Sequence, residues 1–371
     1  MEPAETEAGG ILTIDLGAIT ANWRELARRA APAECSAVIK ADAYGCGIER
    51  VAPALAAAGC STFFVAHLSE AKRARAVAPD AAIYVLNGLL PGSAPAYAAD
   101  NLRPVLGSME EVAEWQAFTA AAGWSGGAAL HVDTGMNRLG LRPREATALA
   151  RRNDLHELNL SLLMSHLACA DEPAHPLNAK QIGTFSEIRT LFPQLPASLA
   201  NSSGIFLGPD THHDLVRPGV ALYGANPTPG HTNVMRPVVR LEGRVIQIRA
   251  VAQGEAVGYG AVWTARRPTR LAVISIGYAD GLIRAGGASD SRQGAEAIVA
   301  GHRCPIAGRI SMDLIAIDVT DVPETSVRRG SLVALLDESI GVDDFAAHAG
   351  TIGYEVLTSL GQRYRRVYRD V

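Results

Sequence analysis

Polar residues follow most of the short apolar segments in the first part of the chain. Seven of the eight segments end in a polar or ionisable side chain: Lys40, His67, Asn87, Arg138, His166, Asn201 with Ser202, and Arg217. A lysine that is desolvated beside an apolar strand becomes a nucleophile that can form a Schiff base. Lys40, after the apolar residues 37–39, fits this description, but its position alone is equally compatible with a side chain that extends to the surface.

Turns that contain glycine lie near several of these residues. We expect Gly204, Gly219 and Gly224 to leave backbone N–H groups free for a phosphate, as in other concave arrangements of amides. A lysine opposite a phosphate-binding turn is typical of a pyridoxal phosphate site, so the residue types predict this cofactor. His131 and His166 suggest a metal, but no third ligand stands at a suitable spacing and we predict none.

The elements that carry these residues alternate regularly. Apolar segments separate helical segments of 3.6-residue periodicity and lie at residues 37–39, 62–66, 82–86, 102–106, 129–132, 158–164, 198–200 and 214–216. Eight such units predict an α/β fold with an N-terminal (β/α)8 TIM barrel. The eighth helix must come from residues 220–223 or be missing. An open doubly wound sheet is the alternative, but no G-x-G-x-x-G motif follows the first strand.

The pattern changes near residue 236. Short alternating segments then follow one another with little helix between them, which predicts a C-terminal, mainly antiparallel β-domain. We place the barrel at residues 1–236 and the β-domain at 237–371, with residues 11–16 as a possible strand of the second domain. Helices are expected at residues 342–349 and 355–363, and the basic residues 363–366 as a solvated helix face.

The composition excludes several classes of protein. Apolar residues make up 48% of the 371 residues, so a large core is assured, and the net charge of −4 without a long basic stripe argues against nucleic-acid binding. No segment is apolar and long enough to span a membrane, and the acidic N-terminus is unlike a signal peptide. The five scattered cysteines indicate a reducing compartment. We expect a cytoplasmic protein.

Several separated motifs resemble those of alanine racemases, which are pyridoxal-phosphate enzymes of fold type III. The motifs are AVIKADAYG (37–45), HVDTGMNRLG (131–140), SHLACAD (165–171), ANS (200–202), VRPGVALYG (216–224), VGYG (257–260), IGYADG (276–281), GRISMD (308–313) and TIGYE (351–355). They occur in the order of the family and cover nearly the whole chain.

The resemblance implies a role for each matching residue. Lys40 is similar to the Schiff-base lysine, and Tyr259 to the opposite-face base that the partner subunit supplies. The implied cofactor contacts are Lys40, Tyr44, His166, Asn201, Ser202, Arg217, Gly219, Val220 and Tyr354. The implied substrate contacts are Arg138 and Met312, and the implied entry corridor is Asp171, Tyr278, Arg284, Arg309 and Ile352.

The implied activity is two-base proton transfer that interconverts L- and D-alanine in a homodimer with shared sites, supplying D-alanine for peptidoglycan. A broad-specificity racemase, acting for instance on serine, and a non-catalytic pyridoxal-phosphate-binding protein remain as alternatives. A related decarboxylase is expected to have an acidic residue where Arg217 stands. His131 departs from the family, because many relatives have a carbamylated lysine there that holds the arginine at position 138.

Overall fold

The computed structural model describes residues 6–370; Val371 and residues 1–5 of the acidic N-terminal stretch lie outside this range. The described chain begins with strand β1 (Gly10–Asp15) and helix α1 (Leu16–Ala30). Asp15 caps α1, since its carboxylate accepts a hydrogen bond from the Ala18 N–H at 2.7 Å. No helix in the described range is both long and apolar enough to cross a bilayer.

Short parallel strands form the wall of a barrel. They are β2 (Glu34–Cys35), β3 (Ala37–Val38), β4 (Thr62–Val65), β5 (Ala82–Val85), β6 (Arg103–Leu106), β7 (Ala128–His131), β8 (Leu160–Met164), β9 (Ala197–Ser198) and β10 (Leu215–Val216). Strands β3 to β9 pair in chain order. Strand β10 pairs with β2 on one side, and on the other the Arg217 N–H donates to the Ala200 carbonyl at 2.9 Å. The predicted (β/α)8 barrel is therefore confirmed.

Helices connect most of the barrel strands. They are the single left-handed turn α2 (Lys40–Tyr44) and the helices α3 (Ile48–Ala58), α4 (Leu68–Val77), α5 (Ala94–Ala99), α6 (Met109–Ala122), α7 (Pro143–Ala150) and α8 (Pro176–Arg189). Among the described residues, β9 and β10 are followed by 3-10 helices alone, and Val220–Tyr223 takes the place of the eighth helix.

A mainly antiparallel sheet makes up the C-terminal part, as predicted. Its elements are β11 (Val239–Val251), β12 (Ala256–Val257), β13 (Trp263–Thr264), β14 (Thr269–Ile274), β15 (Glu296–Val299), β16 (His302–Pro305), β17 (Ile315–Asp318), β18 (Leu332–Leu336), α9 (Val342–Ala349), α10 (Gly353–Ser359) and β19 (Arg365–Arg369). The long β11 is antiparallel to β1, β14 and β18. Strand β1 thus connects the start of the chain to this sheet.

The basic segment at the C-terminus was predicted wrongly. It was expected to end a helix and to face solvent, but α10 stops at Ser359 and β19 pairs in parallel with β1. Side chains of a strand alternate between its two faces, so Arg366 is 9% exposed while Arg369, on the same strand, is exposed. Pairing with β1 therefore outweighs the local preference for a charged helix.

The two parts share one continuous hydrophobic core. Residues of β1, such as Leu12 and Ile14, belong to the same buried cluster as the barrel strands and the C-terminal Tyr364. At the junction, the buried Asn22 of α1 donates to the Leu222 and Arg236 carbonyls and accepts from the Arg236 N–H at 2.7 Å. These contacts fix the C-terminal part against the barrel.

Candidate active site

A cavity of about 510 Å³ lies at the C-terminal ends of the barrel strands. Ten of the residues singled out in the sequence line it: Lys40, Tyr44, His166, Asn201, Ser202, Arg217, Gly219, Val220, Ile352 and Tyr354. Eight come from the barrel, and Ile352 and Tyr354 come from the start of α10. The cavity is therefore built by both parts of the chain.

Lys40 opens a single left-handed turn, here called the Lys40 turn and defined as residues 40–45. Residues Ala41 to Tyr44 have φ between 52° and 56°, and Gly45 has φ 79°. Each L-residue in this conformation costs about 1–2 kcal/mol, so other contacts must hold the turn. The Asp42 carboxylate accepts from the Ile48 N–H at 3.1 Å and pairs with Arg73 at 2.5 Å. Glu70 accepts from the Asp42 N–H at 3.4 Å.

The environment of Lys40 favours the neutral amine. Burial, followed by the positive charge of Arg138, lowers the pKa of the Lys40 ammonium, and the carboxylate of Glu70 opposes this shift. A neutral amine has the free electron pair that Schiff-base formation and proton abstraction require. The other two lysines of the chain, Lys72 and Lys180, are exposed.

Aromatic rings position the Tyr44 hydroxyl. The Tyr44 ring stacks on Tyr223 with 4.7 Å between centroids, and the Tyr223 hydroxyl donates to the Val38 carbonyl at 3.1 Å. A Cβ atom at Gly219 would lie 2.5 Å from the Tyr44 hydroxyl oxygen. Glycine at position 219 is therefore required for this placement of Tyr44, and Tyr223 is a supporting residue for which the sequence motif gave no assigned role.

The expected free amides of the glycine turns are not free. The Gly219 N–H donates to the Ser202 hydroxyl at 2.9 Å, the Gly204 N–H to the Asn201 side-chain oxygen at 2.9 Å, and the Gly224 N–H to the Ala221 carbonyl at 3.3 Å. A phosphate cradle must be sought elsewhere. In the 3-10 helix that begins at Val220, the Ala221 N–H donates to the Ser202 hydroxyl at 3.3 Å and the Leu222 N–H to the Gly219 carbonyl at 2.9 Å. Val220 itself lines the cavity together with Ser202 and Tyr44, so its N–H group and the two hydroxyls are the remaining candidate donors.

Arg217 is buried and is held by oxygen and nitrogen acceptors. Its guanidinium donates to the Ser198 hydroxyl and to the Ser165 carbonyl at 2.5 Å, and lies 3.4 Å from His166 Nδ1. Burial lowers the pKa of Arg217 to about 9. Because this pKa still lies above neutral pH, the group remains a cation and a hydrogen-bond donor.

The two histidines near Arg217, the half-buried His166 and the buried His131, are neutral. Burial, followed by the charge of Arg217, lowers the pKa of His166 well below its ordinary value. A neutral ring can present an unprotonated nitrogen, which makes Nδ1 an acceptor for Arg217. The same two causes lower the pKa of His131 from 6.5 to about 4. No group of three His, Cys, Asp or Glu side chains suited to a metal occurs within residues 6–370.

The lowered pKa of His131 predicts a pH dependence of stability. The unfolded chain takes up this proton near pH 6.5 and the folded chain near pH 4, so the free energy of unfolding falls as the pH drops between these values. We expect the free energy of unfolding of His131→Asn to fall by about 3 kcal/mol less than that of the wild type over this pH interval. Urea unfolding at pH 7 and pH 4 measures this difference. The exposed His156→Asn is the control, and equal losses in all three proteins would contradict the prediction.

Arg138 lies outside the cavity, in an exposed loop that is itself well held. The Asp133 carboxylate accepts from the Gly135 and Asn137 N–H groups at 2.9 and 3.0 Å. Arg142 bridges Asp133 and the Asn137 side chain, at 3.2 and 2.7 Å. This loop projects Arg138 without a contact to His131 among the described hydrogen bonds, so its charge acts on Lys40 and His131 from a distance.

A second group of predicted residues lies on the C-terminal part. Tyr259, Tyr278, Arg284, Arg309 and Met312 line a separate cavity of about 480 Å³. The side chains of Tyr259 and Met312 are 73% and 53% exposed. Tyr259 stands in a turn that packs on Arg309, since a Cβ at Gly260 would lie 2.8 Å from the Arg309 guanidinium. Within one protomer this group and Lys40 therefore do not share a cavity.

The remaining predicted residues take other positions. Asp171 is exposed, and its negative charge, after burial, contributes to raising the pKa of Tyr354 to about 12. His67 and Asn87 contact each other at 3.5 Å and do not line the cavity. Glu70 was missed by the sequence analysis, although its position three residues after His67 has the spacing of a helix capping box.

Known proteins match this chain along nearly its whole length. Residues 14–227 match the family model described as "Alanine racemase, N-terminal domain", and residues 238–368 match "Alanine racemase, C-terminal domain". An alanine racemase of Methylobacterium nodulans is 59% identical, over 98% of this chain and 97% of that protein. A catabolic alanine racemase of Mesorhizobium japonicum is 49% identical, over 98% of this chain and 94% of that one.

A solved structure has the same architecture. The crystal structure of alanine racemase from Bartonella henselae with covalently bound pyridoxal phosphate superimposes with a TM-score of 0.92 at 41% identity, covering 98% of this chain and 100% of that chain. The two family domains occur in this chain in the same order. The chain belongs to the alanine racemase family.

Proposed function

We propose that this protein interconverts L-alanine and D-alanine with pyridoxal phosphate bound at Lys40. The observation that carries the proposal is the single cavity in which Lys40 faces Arg217, Ser202 and the start of the Val220–Tyr223 helix. The relatives named alanine racemase, at up to 59% identity over the whole chain, support the same activity.

The residues of the cavity fit pyridoxal phosphate. Lys40 supplies an amine whose pKa is lowered, and hydroxyl groups of Ser202, Tyr44 and Tyr354 supply donors for a phosphate. Arg217 is a buried cation, and no carboxylate is among its hydrogen-bond partners, so an anionic ligand would compensate its charge. When bound, pyridoxal phosphate withdraws electrons from the substrate and so acidifies the proton on its Cα.

The protein's own residues then move that proton. Lys40 removes or returns it on one face of Cα, and Tyr259 does so on the other, which is what inversion requires. Arg217 cannot hand a proton to a bound ring in the way that a carboxylic acid does, because it stays a cation. This feature opposes the decarboxylase alternative. Arg138 and Met312 are the proposed substrate contacts.

The separation of Lys40 and Tyr259 supports shared sites in a homodimer. Tyr259 is exposed and lines a cavity on the C-terminal part with Arg309 and Met312. A two-fold interface brings a given patch of one protomer against the partner, so the second copy would supply Tyr259 to the Lys40 cavity. Asp171, Tyr278, Arg284, Arg309 and Ile352 are the proposed entry corridor at this interface.

Two further assignments are part of the proposal. We place the barrel domain at residues 1–236 and the β-domain at 237–371, and support this with the family-model matches that end at 227 and begin at 238. The five free cysteines support a reducing compartment, and therefore a cytoplasmic enzyme. Its proposed role is to supply D-alanine for peptidoglycan. The catabolic name of the Mesorhizobium relative supports alanine catabolism as the alternative role.

A comparison of substrates tests the activity. The purified protein with pyridoxal phosphate should racemise L- and D-alanine, and serine with a kcat/KM at least roughly tenfold lower, since an added hydroxyl must be desolvated. Circular dichroism of each enantiomer over time measures both reactions. Equal kcat/KM values would favour the broad-specificity racemase. A protein that binds pyridoxal phosphate and racemises neither amino acid would favour the non-catalytic alternative, which the match to the alanine racemase C-terminal domain opposes.

A further inference from the structure

Arg366 is a buried arginine of β19 that contacts the Lys40 turn. Its side chain is 9% exposed, and Nη1 donates to the Gly45 carbonyl at 2.6 Å. Nη2 lies 3.1 Å from the Gly361 carbonyl and 3.4 Å from the Leu360 carbonyl. None of the ion pairs found within residues 6–370 includes Arg366. Its buried charge is therefore compensated chiefly by backbone oxygens.

These oxygens belong to two elements of the cavity. Gly45 ends the Lys40 turn, which carries Lys40 and Tyr44. Leu360 and Gly361 directly follow α10, which carries Tyr354. Arg366 therefore donates both to the end of the Lys40 turn and to the two carbonyls that directly follow α10.

The Lys40 turn needs such an external support. Its residues Ala41 to Tyr44 all have positive φ, and L-residues keep that conformation only where surrounding contacts offset its energetic cost. The hydrogen bond of Asp42 with Ile48 and its ion pair with Arg73 hold the first half of the turn. The bond from Arg366 to the Gly45 carbonyl acts at its other end, where Gly45 also packs against the Leu357 carbonyl of α10.

We propose that Arg366 is a positioning residue that fixes the Lys40 turn against α10. By doing so it sets the separation of Tyr44 and Tyr354, whose ring centroids are 6.3 Å apart. These two tyrosines approach the cavity from different domains, and Arg366 is the side chain that bridges their supporting elements. The inference rests on the proposed function, because both tyrosines are proposed phosphate contacts.

Hydrogen exchange measured by mass spectrometry tests the inference on the holoenzyme. In Arg366→Met the peptide covering residues 41–47 should exchange faster, since the Gly45 and Gly47 N–H groups bond to carbonyls of the turn, those of Ala41, Ala43 and Asp42. Peptides from β14 should be unchanged. The dissociation constant of pyridoxal phosphate should rise roughly tenfold, as expected for the loss of one hydrogen bond from a charged group.

Two further variants make the result specific. Arg366→Lys keeps the charge and a donor, and should restore part of the cofactor affinity and of the protection in residues 41–47. Arg369→Met, on the exposed side of the same strand, should behave like the wild type. Unchanged exchange in residues 41–47 of Arg366→Met, or a uniform acceleration over all peptides, would overturn the proposal. Failure of the wild type to racemise alanine would instead reject the proposed function, while the exchange data would still decide the role of Arg366.

Discussion

Lys40→Ala should lose alanine racemisation by at least about 10⁴-fold, because the substitution removes both the attachment point of the cofactor and one of the two bases. The visible absorption of the lysine-bound cofactor should disappear with the activity. The reason is local: Lys40 is the lysine that lines the cavity, and burial together with Arg138 lowers its pKa. Spectra and circular-dichroism assays of the purified variant measure the two losses.

The other lysines of the chain serve as controls for the assignment of Lys40. Lys72 and Lys180 are the other lysines in the sequence, and both are exposed, so their alanine variants should keep activity and spectrum. Borohydride reduction of the wild type should fix the cofactor on the peptide that contains Lys40. Labelling of Lys72 or Lys180 instead, or racemisation that survives in Lys40→Ala, would show that the assignment is wrong.

Tyr259→Phe should lower racemisation by roughly 10²- to 10⁴-fold, the range expected for loss of a general base or acid. The loss should be asymmetric between the two faces of the substrate. In deuterated water, the enantiomer whose Cα proton faces Lys40 should still exchange that proton, and the other enantiomer should not. Proton NMR of L- and D-alanine measures both rates, and equal exchange of the two enantiomers would argue against Tyr259 as the second base.

Mixed dimers test whether Tyr259 acts in the partner's site. When Lys40→Ala and Tyr259→Phe protomers are dissociated and re-associated together, each mixed dimer contains one site with both native residues. With equal amounts of the two variants, about half of the dimers are mixed, and one of the two sites in each mixed dimer is native. Activity should therefore recover to about a quarter of the wild-type value. No recovery, with mixed dimers shown by mass spectrometry, would mean that both residues serve a site within one protomer.

Periodicity was sufficient to place most of the fold. The eight apolar segments correspond to β2/β3 and β4 to β10, each within a few residues, because strands buried on both faces are short continuous apolar runs. Residues 342–349 form the predicted α9. The prediction failed at residues 360–366, where helical propensity and charge indicated a solvated helix. A parallel partner more than 300 residues away, β1, decided that segment.

The sequence by itself determined the barrel, the β-domain and the motif residues of the cavity, because periodicity and residue type are local properties that the chain carries directly. Tertiary structure alone decided how those residues meet. It placed the Gly219 amide on Ser202 and not free for a ligand. It gave residues 41–45 a left-handed backbone conformation and placed the supporting Arg366 against Gly45. It also left Tyr259 on an exposed surface, since contacts between distant segments depend on packing that no local pattern specifies.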